Sequence, residues 1–190
     1  MEKNEKNELE DLKNLRNVDL CYIIRHNKEL RKQACLAILN NIHSNEDLTF
    51  ILKYEKSRNE IVSKKMIKGL TDEKDLKNLI KYSEDENIRN EAAIKLIEKY
   101  GKKKKNLRYV IMKIKNDSIK EMAGERLLSK NPTHEDLYFL IFSGLNSSSQ
   151  KAWDKLMEKP NNKDFHMLIR TEHMFRQKAI EEYIKNKAVK

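Results

Sequence analysis

The side chains in this chain best suited to meeting a ligand recur in register. Tyr22, Phe50, Asn78, Tyr109, Phe139 and Met167 form one stripe, and one helical turn later stand His26, Tyr54, Tyr82, Lys113, Ser143 and Thr171, flanked by Arg25, Lys53, Lys81 and Arg170. Aromatic faces interleaved with cations can stack on bases or grip an extended peptide through ring contacts and charge. The same stripe also fits packing, because a helix wedged between like helices needs a broad apolar face. Tyr22, Arg25, Phe50, Lys53, Tyr54, Lys81, Tyr82, Tyr109 and Phe139 are therefore candidate partner-binding residues. The run Lys102, Lys103, Lys104 and Lys105 is the densest positive point on the chain and a candidate phosphate-binding site, although such runs also form plain solvated edges.

Residue types for covalent or metal chemistry are present but not assembled. Cys21 and Cys35 lie fourteen residues apart with no CxxC pair and no His at ligand spacing, so buried free thiols are expected. His26, His43, His134, His166 and His173 fall in different repeats or turns. No catalytic, cofactor-binding or metal-binding residue is assigned. The net charge of +10 favours phosphate in general terms, yet only 9 of the 40 basic residues are Arg, whose planar fork suits bidentate phosphate and base recognition.

The positioning elements are readable from a repeated opening: Asp19-Leu20, Asp47-Leu48, Asp75-Leu76, Asn106-Leu107, Asp136-Leu137 and Asp164-Phe165, at spacings of 28, 28, 31, 30 and 28 residues. A period of that length marks a solenoid, since each unit is too small to bury its own apolar face and must stack on its neighbours. Each anchor is followed at three and four residues by further apolar residues, as in Leu76, Leu79 and Ile80, which predicts a first helix, A, with one apolar face. Ser44/Asp47, Asp72/Asp75, Thr133/Asp136 and Asn161/Asp164 have capping-box spacing, so these Asp residues read as helix caps. A second helix, B, carries apolar, Ala, apolar at intervals of four: Leu30-Ala34-Ile38, Ile88-Ala92-Leu96, Ile119-Ala123-Leu127 and Phe175-Ala179-Tyr183, with Ser148-Ala152-Leu156 and Val62-Met66-Leu70 as variants. A small residue at mid-helix predicts close helix crossings, with Asn90 and Glu121 on the exposed side.

Only four Gly and two Pro occur, and no strand-like alternation is present, so an all-α fold is expected. No apolar stretch approaches the roughly 20 residues that span a bilayer, and the charged start lacks a signal-peptide core, which predicts a cytoplasmic protein with no membrane partner. One domain over 1–190 is expected, with a capping helix over 1–18 built on Leu9, Leu12, Leu15 and Val18, and repeats starting near 19, 47, 75, 106, 136 and 164.

Arg31, Arg89, Lys120 and Arg176 follow the first apolar residue of helix B, and Asp85-Glu86-Asn87-Ile88-Arg89-Asn90-Glu91-Ala92 resembles the second helix of HEAT-like repeats of bacterial α-solenoids. Asn131-Pro132-Thr133 is similar to the inter-repeat turn of leucine-rich-repeat variants. The resemblance covers about residues 17 to 187. It implies a right-handed α-solenoid of about six antiparallel helix pairs, in which those four basic residues pair with an acidic or backbone group of the adjacent repeat. It further implies a non-enzymatic binding or scaffold module for a protein or peptide, with a nucleic-acid-binding solenoid as the alternative. Some HEAT-like solenoids act on alkylated DNA through aromatic and acidic residues; here the sole Trp step, Trp153-Asp154, sits in the column of Cys35, Ile67, Ala93, Gly124 and Ile180, which reads as core.

Overall fold

The computed structural model describes residues 12, 14–41, 43–69, 72–171 and 174–188. Leu9, most of the expected capping segment, Leu70 and His173 lie outside the described residues. Twelve α-helices fall within them: α1 Asn17–His26, α2 Arg31–Asn40, α3 Asn45–Tyr54, α4 Asn59–Gly69, α5 Glu73–Tyr82, α6 Glu86–Tyr100, α7 Lys104–Lys113, α8 Asp117–Leu128, α9 His134–Ile141, α10 Asn146–Met157, α11 Asn162–Arg170 and α12 Arg176–Ala188. A single 3-10 turn, Lys56–Arg58, precedes α4, and no strand occurs among the described residues. Consecutive helices pack as pairs, α1 on α2 through α11 on α12. Only three to five residues join the partners of a pair, so they must run antiparallel.

All six anchors are buried: Leu20, Leu48, Leu76, Leu107, Leu137 and Phe165. Of the eighteen positions of the helix A face, only Ile23 and Ile169 are half-buried, and both belong to the end repeats, which lack a neighbour on one side. The mid-helix column Ala34, Met66, Ala92, Ala123, Ala152 and Ala179 is wholly buried, and it allows neighbouring B helices α4, α6, α8 and α10 to touch along the array. Gly124 marks the tightest crossing: a Cβ there would stand 2.5 Å from Ser148 Oγ and 2.8 Å from Ser148 Cβ. Trp153 is buried and stacks on Phe175 at 5.0 Å, so it serves the core.

Helix starts follow the expected caps. Ser44, Thr133 and Asn161 form reciprocal capping boxes with Asp47, Asp136 and Asp164, and Asp72 accepts from the Lys74 and Asp75 amides. α7 has Lys103 as its N-cap residue and receives no side-chain cap from it. α10 lacks a cap of its own, and Glu121 of α8 accepts from the Ser147 and Ser148 amides instead. Glu121, expected to be exposed, is therefore half-buried at a repeat contact, and Asn90, also expected to be exposed, is half-buried as well.

Of the expected capping stripe, Leu12 is buried, Leu15 and Val18 are exposed, and Val18 belongs to α1. One further expectation is corrected. The basic ladder on the B helices is not continuous. Arg31 donates to the Ile24 carbonyl and, at 3.4 Å, to the Tyr54 carbonyl of the next repeat. Arg89 instead donates within its own repeat to the Ser83 and Glu84 carbonyls, Lys120 pairs with Asp117, and Arg176 is exposed. In the second repeat, where Ser63 replaces the basic residue, Asn59 takes over: its amide donates to the Leu52 and Tyr82 carbonyls, the equivalents of those Arg31 reaches. A buried amide can do this because the two acceptors are helix-end carbonyls, which have no partner within their own helix.

No helix among the described residues is long and apolar enough to cross a membrane.

Candidate functional site

The A helices carry the candidate site, and their N-terminal ends are tied from repeat to repeat. Three residues before four of the anchors stands a polar residue that reaches the Asp just before the anchor of the next repeat. Asn17 donates to Asp47 at 3.0 Å and Asn45 to Asp75 at 2.8 Å. Lys104 donates to Asp136 at 2.8 Å, and His134 Nδ1 lies 2.9 Å from Asp164. Arg108 adds bonds of 3.0 and 2.5 Å to Asp136, and the Tyr138 hydroxyl donates to Asp164. Between the third and fourth repeats the charges invert: Asn106 replaces the Asp, and Glu73 replaces the donor and pairs with Lys103 at 2.6 Å and Lys77 at 2.8 Å. This ladder of six helix starts was missed from the sequence, although the donors lie a regular 30, 30, 32 and 30 residues before their Asp partners.

Electrostatics along the ladder follow the donor. Burial alone would raise the Asp136 carboxyl, but Lys104, the Thr133 amide and Arg108 outweigh it and hold it at about 2. Glu73, bonded by Lys103 and Lys77, is also held at about 2. Asp164 is lowered, as Tyr138, the Asn161 amide and His134 outweigh its burial. Asp75, whose side-chain donor is the neutral amide of Asn45, is raised by burial. Desolvation dominates the thiols: Cys21 is pushed up to about 11 and Cys35 to about 12, which makes both poor nucleophiles.

The Lys run is divided by this ladder. Lys103 reaches back to Glu73 and Lys104 forward to Asp136 and the Asn131 carbonyl, while Lys102 and Lys105 are exposed. Half of the candidate phosphate site is thus occupied in joining repeats.

The aromatic stripe lies along the A helices, neither buried nor free. Tyr22 is 67% exposed and packs on His26 at 4.4 Å. Phe50 and Tyr54 pack ring to ring at 4.7 Å, and these two with Tyr82, Tyr109 and Phe139 are half-buried against the core. Cations cover the rings: Lys53 over Tyr54, Lys81 over Tyr82, Lys77 over Tyr109 and Arg108 over Phe139.

Here the stripe splits in two. Lys77 and Arg108 are committed to Glu73 and Asp136, and the Tyr109 hydroxyl donates to the Lys77 carbonyl, so the fourth and fifth repeats are closed by internal bonds. Arg25, Lys53 and Lys81, at the C-terminal ends of α1, α3 and α5, are exposed and form no ion pair among the described residues. Between α3 and α5 a cleft of about 280 Å³ is lined by Glu46, Thr49, Phe50, Lys53, Lys74, Asp75, Asn78 and Tyr82. Its far end is neutralised by the Lys74–Glu46 pair at 2.7 Å. No group of three or more His, Cys, Asp or Glu suited to a metal occurs among the described residues. The site can therefore offer ring faces, an apolar floor and unpaired positive charge.

Comparison of the chain with protein-family models, curated proteins and solved structures gives no match.

Proposed function

We propose that this protein is a non-enzymatic binding module: a HEAT-like α-solenoid, its six helix pairs stacked as a right-handed superhelix, that recognises a protein or peptide partner. The observation that carries the reading is the half-open aromatic stripe of the first three repeats, with Arg25, Lys53 and Lys81 in register and unpaired. Partner interfaces favour rings and cations placed in this way, since they combine large apolar contact with a charge that is not already satisfied. Regular stacking supports it too, because a solenoid presents an extended surface whose spacing is set by the repeat. The competing reading is a single-stranded nucleic acid held by the same rings, supported by the net charge of +10 and the exposed Lys102 and Lys105.

Selection of displayed peptides on the immobilised protein, alongside a random single-stranded DNA pool, tests the two. The peptide reading expects selected sequences whose binding is weakened by Tyr22→Ala, a change at an exposed ring that leaves the melting temperature in place. Enrichment of DNA instead, with affinity falling steeply with salt and depending on Lys102 and Lys105, overturns it.

A further inference from the structure

Resting on that reading, we infer that the partner segment is an extended acidic peptide with carboxylates at every third position, laid across α1, α3 and α5 so that they meet Arg25, Lys53 and Lys81. Charge state is the first ground. The neighbouring cations of the A layer are neutralised inside the molecule, Lys74 by Glu46, Lys77 and Lys103 by Glu73, and Lys104 and Arg108 by Asp136. Carboxylates in the loops beside the row are also engaged, Glu55 by Ser57 and Glu84 by Lys56 at 3.8 Å. On α1, α3 and α5 this leaves Arg25, Lys53 and Lys81 without an ion pair among the described residues, Lys53 at 5.1 Å from the Tyr54 centroid and Lys81 at 4.9 Å from that of Tyr82.

Spacing is the second ground. The three cations occupy one register position, five residues after Leu20, Leu48 and Leu76, on neighbouring helices that touch. Packed helix axes lie about 8–10 Å apart, and a segment in the extended polyproline II conformation rises about 9 Å per three residues and returns every third side chain to the same face. One carboxylate per repeat then falls at every third residue. Between α3 and α5 the cleft lined by Phe50, Lys53 and Tyr82 has room for an apolar side chain on an aromatic floor, so the segment needs an apolar residue between two of its acids. The cations stand at helix C-termini, where their own helix dipoles favour positive charge, so the row needs no internal counter-ion and is left available to a ligand.

Fluorescence polarisation on the full chain tests this with four labelled probes. One peptide has glutamate at every third position with leucine and serine between. A second has the same composition with the glutamates contiguous, a third has glutamine for glutamate, and the fourth is a random single-stranded DNA. The spaced acidic peptide is expected to bind at least about tenfold more tightly than the contiguous and glutamine versions, the size of effect that three exposed ion pairs supply together. The double variant Lys53→Glu and Lys81→Glu, at exposed positions whose reversal keeps the helical spectrum and costs only a small drop in melting temperature from the two helix dipoles, should abolish the preference, and Lys53→Arg with Lys81→Arg should keep it. Equal binding of the glutamine peptide, still weakened by Tyr22→Ala, overturns the acidic segment while leaving peptide recognition standing. Tighter binding of the DNA overturns both, and a preference unmoved by charge reversal overturns the placement on this row.

Discussion

At the scale of single residues the decisive groups are the capping aspartates. A carboxylate taken out of water is stable only if its oxygens are met by donors, and the donor's charge decides the sign of its effect on stability. Asp136 is 2% exposed and held at about 2, below the ordinary value of 3.8. Its contribution is fully present above the unfolded pKa and is lost as pH falls from about 4 through about 2. The shift corresponds to about 2 kcal/mol at most. Asp136→Asn should therefore lower stability at neutral pH by about 1–3 kcal/mol and flatten that acid-side slope, as read by denaturant unfolding at pH 7 and pH 3. Undiminished acid sensitivity in the variant would assign the slope to other carboxylates. Asp75 runs the other way: its raised value makes the protonated form the better fit, so its contribution is greatest below the unfolded pKa and fades as pH rises through its own value. Asn45→Lys gives Asp75 the donor that Asp136 has in Lys104. An NMR titration should then find Asp75 moved below 3.8, and an unmoved or higher value would show that the ladder positions are not equivalent.

At the scale of elements, helix crossings decide what each position tolerates. Ala92 and Ala123 are buried at the centres of α6 and α8, and Leu at either should cost about 1–3 kcal/mol, against little for the same change at exposed Glu98. Gly124→Ala is the sharper test, because its new methyl meets Ser148 and, at 3.2 Å, Leu145 Cδ1. The α8–α10 contact must open, and with it the Glu121 cap on α10. A lower melting temperature for Gly124→Ala than for wild type is expected; equal values would mean that the crossing is loose. Helix boundaries, anchors and most caps were legible in the sequence, since they depend on residues three or four apart. Asn59 and Glu121 were not, since each satisfies backbone of the following repeat, and an Asn or Glu at those positions looks like any polar residue on a helix surface.

For the molecule as a whole, each repeat contacts mainly its neighbours, so stability is a sum of unit and interface contributions and the ends are the weakest places. Hydrogen exchange should be slowest in α5 to α8, flanked by two repeats on each side, and faster in α12, where Ala179 alone is buried among the described residues of the helix. Leu76→Ala should cost about 2–5 kcal/mol and raise exchange in both adjoining repeats rather than in its own alone. Exchange confined to the third repeat would mean that the interfaces carry little of the stability.

The sequence by itself determined the all-helical class, the six anchors, the pairing of helices and the caps, because these follow from apolar periodicity and from groups within one turn of each other. It also marked the stripe of Tyr22, Phe50, Tyr54, Tyr82, Tyr109 and Phe139, as periodicity alone puts these side chains on one side of the A helices. Only the tertiary structure decided which part of that stripe is open. Lys102 and Lys103 are alike as residues; they differ in whether a carboxylate of another repeat, some 30 positions away, is brought within reach, as Glu73 is for Lys103 and Asp136 is for Lys104. Ion pairing across repeats depends on how the repeats stack, and stacking is a property of the assembled array.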